Sequence, residues 1–139
     1  MAINSLNPYL CFEGNAQKAI DLYTRALGAK VEGVMRYGDV PDNKQPQKNK
    51  DLVMHATLHV GGGVVMLSDV QPGDKVQGGK QVQIALDFDD PVDMGRKFEA
   101  LSQGGRIELP LQDMFWGAKF GMLTDAFGVS WMFNCDKKR

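Results

Sequence analysis

The sequence predicts an α+β fold: two tandem βαβββ units forming a curved mixed sheet around a shared cavity, with the helices on the outer face. Three observations carry that prediction. Two amphipathic helical segments are each preceded by one strand-like run and followed by three. Sliding one half of the chain by 76 residues lays Asn7 on Gln83, Leu10 on Leu86, Phe12 on Phe88 and Gly28 on Gly104, the mark of a duplicated supersecondary unit. A lone βαβββ unit would leave one sheet face bare, so two must pair around a common interior.

The first strand is read in SLNPYLCF (residues 5–12), and the first helix in EGNAQKAIDLYTRALGA. Asn15 supplies its cap, Ala16, Ala19, Ile20, Tyr23 and Leu27 its apolar stripe, and Gly28 its left-handed end. KVEGVMRY, LVMHATLHV and VVMLSD complete the unit, the last two joined by Gly61, Gly62 and Gly63. The second unit repeats the order: QVQIALDF, then a helix in DDPVDMGRKFEALSQGG, then RIELPL, FGMLTD and VSWMFN. Asp90 stands at the cap of that helix, Pro91 at its first position, and Met94, Phe98 and Leu101 on one stripe. Asp125 and Gly128 read as turn residues between the last two strands. Residues 38–51, GDVPDNKQPQKNKD, read as the most mobile internal segment, able to fold over a ligand, and residues 69–80 link the units. The chain is thus one domain over 1–139, built of unit 1 (about 1–70) and unit 2 (about 80–136).

Composition narrows the function classes. A formal net charge of −1 provides no basic excess to hold phosphates, which argues against nucleic-acid or anionic-membrane partners. No basic leader precedes an apolar run, and no apolar stretch approaches the ~20 residues of a membrane span, so the expected compartment is the cytoplasm. Cys11 and Cys135 lack metal-ligand spacing and read as reduced thiols on buried or half-buried strands. No serine or cysteine sits in a recognisable nucleophile elbow.

The runs FEGNAQKAIDLYTRALGA, MHATLHVGGGVVMLSD and FWGAKFGMLTDAFGVSWMFN closely resemble the PhnB-like branch of the vicinal oxygen chelate superfamily, which includes glyoxalases, extradiol dioxygenases and fosfomycin and bleomycin resistance proteins. The resemblance covers nearly the whole chain. It implies a site on the first and last strands of each unit, where alignment to the glyoxalase pattern places Asn7, Met66, Gln83 and Met132. Glyoxalases hold a divalent metal there with His, Glu or Gln; two thioethers and two neutral amides depart from that donor set. Branch members often carry a demethylubiquinone methyltransferase label, yet this chain has no glycine-rich strand-to-helix turn to cradle a nucleotide cofactor.

Strand alternation then assigns the remaining faces. With Asn7 inward, Ser5, Tyr9 and Cys11 share its face, and Leu6, Leu10 and Phe12 turn to the helix. With Gln83 inward, Gln81, Ala85 and Asp87 join it, and Val82, Ile84, Leu86 and Phe88 pack away. In LVMHATLHV, Val53, His55, Thr57 and His59 form the inward face. His55 and His59, the chain's two histidines, read either as part of a metal site completed from another strand, or as a pocket residue and a rim residue. Phe115 and Trp116 read either as an aromatic lid or as part of a subunit interface.

The expected function is a metal-independent pocket for a small organic ligand, sequestered or acted upon, lined by Asn7, Tyr9, His55, Thr57, His59, Met66, Gln83, Trp116, Met132 and Asn134. No cofactor is expected. The alternative is a metal-dependent lyase, isomerase or transferase using zinc, nickel or manganese, with unusual ligands centred on His55. A homodimer is expected, because the sheet edges need covering.

Overall fold

The computed structural model describes residues 2–41 and 46–137. Its elements run β1 (Tyr9–Phe12), α1 (Ala16–Leu27), β2 (Lys30–Arg36), β3 (Val53–Val60), β4 (Gly63–Asp69), β5 (Ile84–Phe88), α2 (Pro91–Leu101), β6 (Arg106–Asp113), β7 (Ala118–Thr124) and β8 (Ser130–Asp136). The strands form two four-stranded sheets, ordered β1-β4-β3-β2 and β5-β8-β7-β6. In each, the first and last strands pair parallel and the other pairs are antiparallel. The chain divides into unit 1 (Met1–Gln77) and unit 2 (Gly78–Arg139), each one βαβββ motif. Among the described residues no helix is long and apolar enough to cross a membrane.

The register proves the duplication. Tyr9 pairs with Met66 and Phe12 with Asp69 in unit 1; Ala85 pairs with Met132 and Phe88 with Cys135 in unit 2. Helix α1 buries Ala16, Ala19, Ile20, Leu22, Tyr23, Ala26 and Leu27, while α2 buries Met94, Phe98 and Leu101. Beneath α1 lie Ala56, Leu58 and Leu67, each with 0% exposure, and in unit 2 Phe98 meets Phe133 edge-to-face at 5.0 Å.

The helix starts obey local chemistry in one unit and distant chemistry in the other. Asp90 accepts the N–H of Val92 at 2.9 Å, Pro91 opens α2, and Gly28 closes α1 at φ 70°. Asn15, expected to cap α1, makes no side-chain cap bond. A different exposed donor of the first turn, the N–H of Ala16, is satisfied from a distance by Asp69 Oδ1 at 3.0 Å. Asp69 Oδ2 accepts the Val53 N–H at 2.9 Å, and its carbonyl accepts the Tyr37 hydroxyl at 2.9 Å. Burial, then the nearby Asp69 carboxylate, raises the Tyr37 phenol above its ordinary range.

Three sequence expectations are corrected. The first strands of the units are shorter than read: Leu6 and Val82 are 89% and 80% exposed rather than packed on a helix. Pro8 lacks an N–H for the ladder and bonds to β4 only through its carbonyl, which accepts the Met66 N–H at 3.0 Å; Ile84 pairs with Trp131, the second residue of β8, so little of that strand is left for the residues before it. Val53 is fully buried, not inward beside His55, because Arg36 pairs with Val53 and Met35 with His55, leaving Met54 as a bulge that resets the alternation. Cys11 is exposed, and only Cys135 is buried. Within residues 38–51, a 3₁₀ turn spans Gln47–Asn49, and another over Tyr37–Asp39 precedes it. Residues 42–45 of this expected lid lie outside the described residues.

Candidate functional site

In unit 1 the sheet face opposite α1 brings together most of the residues singled out there. Ladder partners share a face, and Tyr9, Met66 and Thr57 lie in one row across β1, β4 and β3. His55 stands one step along β3. The Tyr9 hydroxyl lies 3.3 Å from His55 Nδ1, and His55 Nε2 lies 3.2 Å from Thr57 Oγ1. The two rings are tilted by 38° at 5.7 Å between centroids. Both imidazole nitrogens are therefore committed to hydroxyls.

The remaining unit 1 residues stand apart from this chain. Asn7, half-buried before β1, donates from Nδ2 to Ser5 Oγ at 3.1 Å. His59 lies ~13 Å along the strand from His55 at the usual rise per residue. It is half exposed, and its Nε2 lies 3.6 Å from a Glu32 carboxylate oxygen. Glu32 is the extra residue of the β2 bulge between Val31 and Gly33.

Unit 2 presents a different face. Ala85, Met132 and Met122 form the row equivalent to Tyr9, Met66 and Thr57. The next row is Asp87, Asn134 and Phe120. Asn134 Nδ2 donates to Asp87 Oδ1 at 3.3 Å and to Asp136 Oδ1 at 3.2 Å. Trp116, 51% exposed in the turn between β6 and β7, meets Phe120 edge-on at 5.8 Å, and Phe115 stands 95% exposed beside it. Gln83 is half-buried just before β5. Phe120 was not singled out from sequence; the alternation of AKFGMLT, read against Met122, would have found it. An open cavity of about 690 Å³ lies elsewhere in this unit, between Asp89, Asp113, Lys119 and Lys137, and none of the ten expected residues lines it.

The donor chemistry is narrow. Among the described residues no three His, Cys, Asp or Glu side chains gather to hold a metal ion. Met66 and Met132 present thioethers, poor ligands for zinc, nickel or manganese, which favour imidazole and carboxylate donors.

The chain matches the model of the Glyoxalase/Bleomycin resistance protein/Dioxygenase superfamily over residues 5–133. It is 33% identical to Protein YjdN of Escherichia coli over 143 aligned residues, covering 96% of this chain and 97% of that protein. Among solved structures it resembles protein PA1353 of Pseudomonas aeruginosa, with TM-score 0.86 and 40% identity over 98% of this chain and 100% of that one. It also resembles a Bacillus cereus PhnB protein described as a putative 3-demethylubiquinone-9 3-methyltransferase, with TM-score 0.80 and 27% identity, covering 95% and 99%.

Proposed function

Because the chain belongs to the Glyoxalase/Bleomycin resistance protein/Dioxygenase superfamily and to its PhnB-like branch, we propose that it is a cytoplasmic, homodimeric small-molecule-binding protein that holds an organic ligand without a divalent metal. The observation that carries this reading is the state of His55. A metal ligand needs a free imidazole lone pair, and both ring nitrogens of His55 already face hydroxyls, those of Tyr9 and Thr57. The positions that metal-dependent relatives fill with His, Glu or Gln carry Asn7 and Met66 in unit 1, and Gln83 and Met132 in unit 2. Such a set does not fit a hard divalent ion.

What these residues do well is bind. Tyr9 and Thr57 provide hydroxyls, and Met66 and Met132 provide adaptable apolar surface. Asn134 provides an amide, and Trp116 an exposed aromatic face. The methyltransferase description of the Bacillus cereus relative adds no reaction here, since neither unit's strand-to-helix turn has a glycine-rich cradle for a nucleotide cofactor.

Thermal unfolding with zinc, nickel or manganese tests the reading. Wild-type protein should show no metal-dependent rise in Tm, because only native-state binding stabilises. A rise of several degrees that disappears in His55→Ala would replace this reading with the metal-dependent enzyme.

A further inference from the structure

We propose that the Tyr9–His55–Thr57 chain recognises an uncharged aromatic carbonyl compound. Tyr9 and Thr57 are the groups that touch it, and His55 is the positioning residue between them. The inference rests on the metal-free reading above and names the ligand class for the unit 1 face.

Proton counting carries the argument. A neutral imidazole has one N–H and one lone pair. With the proton on Nε2, that nitrogen donates to Thr57 Oγ1 at 3.2 Å while the Tyr9 hydroxyl donates to Nδ1 at 3.3 Å. The Thr57 proton is then free to point outward. With the proton on Nδ1 the roles reverse, and the Tyr9 proton is free. Either tautomer leaves one hydroxyl proton to offer and one hydroxyl oxygen to accept. The two oxygens are roughly 8–9 Å apart, two hydrogen bonds of 3.3 and 3.2 Å plus the ring's width. A ligand carbonyl takes the offered proton, and the tautomer follows whichever hydroxyl it chooses.

The surroundings select an aromatic, uncharged body. Met66 is the ladder partner of both Tyr9 and Thr57, and Met35 is the partner of His55, so thioethers flank the hydroxyls. Thioether sulfur packs favourably on aromatic rings. Charge is kept at a distance. From β2, Lys30 and Glu32 lie beside His59, and the Arg36 guanidinium is engaged with Gln17 Oε1 and the Asp51 carbonyl. The Asp69 carboxylate of β4 is spent on Ala16 and Val53. No cation among these groups stands ready to pair with a ligand carboxylate, whose desolvation would go uncompensated.

Imidazole nitrogen NMR of the full chain tests this, with benzamide as the uncharged probe and benzoate as its charged counterpart. Only two histidines are present, so His59 serves as an internal reference. Benzamide should move the His55 ring nitrogens saturably, with benzoate about tenfold weaker or more. Tyr9→Phe and Thr57→Val should each weaken benzamide about fivefold, the worth of one hydrogen bond. Unmoved backbone amide resonances of Ile20 and Leu67, in the unit 1 core, would show that both variants keep their fold. Equal affinity for the two probes, indifference to both substitutions, or no His55 response to benzamide would overturn the proposal. Zinc added to the same sample judges the underlying reading separately: stoichiometric zinc displacing the His55 signals sinks the metal-free site whatever benzamide does.

Discussion

Units 1 and 2 repeat one backbone plan but secure it with different atoms. Where unit 1 has Asp69 at the end of its fourth strand, unit 2 has Cys135, each paired with the last residue of the first strand. Asp69 reaches across unit 1 to cap α1 and hold the start of β3. Cys135 cannot do this, and α2 is capped from within by Asp90. Unit 2 has its own buried carboxylate, Asp125, placed in the β7–β8 turn, where it accepts the N–H groups of Phe127 and Val129 and the Trp131 indole N–H. A duplicated fold thus conserves geometry more readily than it conserves the groups that satisfy its buried donors.

The largest expected effect separates the two anchors. Asp69→Ala leaves the Ala16 and Val53 N–H groups without their acceptor and should cost about 3 kcal/mol or more in urea unfolding. Cys135→Ala, at the equivalent place, should cost only about 1 kcal/mol. Equal losses would mean that the carboxylate is not what holds unit 1 together.

Core volume is traded between helix and strand. Gly121 in β7 corresponds to Ala56 in β3, and Phe98 in α2 to Leu22 in α1. A Cβ on Gly121 would sit 3.0 Å from Phe98 Cε2 and 2.9 Å from Leu111 Cδ2. Gly121→Ala should therefore destabilise by about 1–3 kcal/mol. Adding Phe98→Leu, which gives unit 2 the unit 1 pairing, should recover part of that loss in a double-mutant cycle. Strict additivity would show that the two sites do not share volume.

A smaller contrast lies at the helix starts. Asp90→Ala should cost about 1 kcal/mol through the lost cap, whereas Asn15→Ala should stay within about 0.5 kcal/mol. A costly Asn15→Ala would contradict the division between local and distant capping.

The smallest effect concerns a repeated bulge. Glu32 and Glu108 occupy equivalent β-bulges, but Glu32 faces His59 and Glu108 faces Arg106, Lys80 and Thr124. Hydrogen bonds from Arg106, Lys80 and Thr124, in that order, lower the Glu108 pKa from 4.5 to about 2. A depressed carboxylate contributes stability above its unfolded value and loses it as pH falls through the folded one. The stability advantage of wild type over Glu108→Gln should therefore shrink between pH 4.5 and pH 2, measured by denaturant titration at each pH. A difference that stays flat over that window would remove the ion cluster from the account.

Much of this was legible in the sequence because it is local. The helical stripes, Gly28, the Asp90–Pro91 start and the Asp125–Gly128 turn all depend on neighbours a few residues away. The repeat itself showed in the spacing of Asn7 and Gln83. What escaped depends on distance in sequence. Asp69 lies 53 residues from the N–H it caps, so Asn15, at the expected position, took the role on paper. The Met54 bulge hid because Val53 and Met54 are both apolar and the run shows no break in pattern. On the unit 1 face, parity placed Tyr9, His55 and Thr57 together, but their hydrogen-bonded order needed coordinates.

The base of the 38–51 excursion carries one more consequence. Tyr37 N–H bonds to the Leu52 carbonyl at 3.0 Å and Gly38 N–H to the Lys50 carbonyl at 2.9 Å, so the segment leaves and re-enters the fold through a closed neck. Tyr37 also fastens that neck to Asp69. With the ends already held together, doubling the length of chain between them costs only about 0.6 kcal/mol in closure entropy. The chain between the two sides of the neck is therefore a natural port for grafted sequence, such as an epitope, a fluorophore-labelling cassette or an entire guest domain.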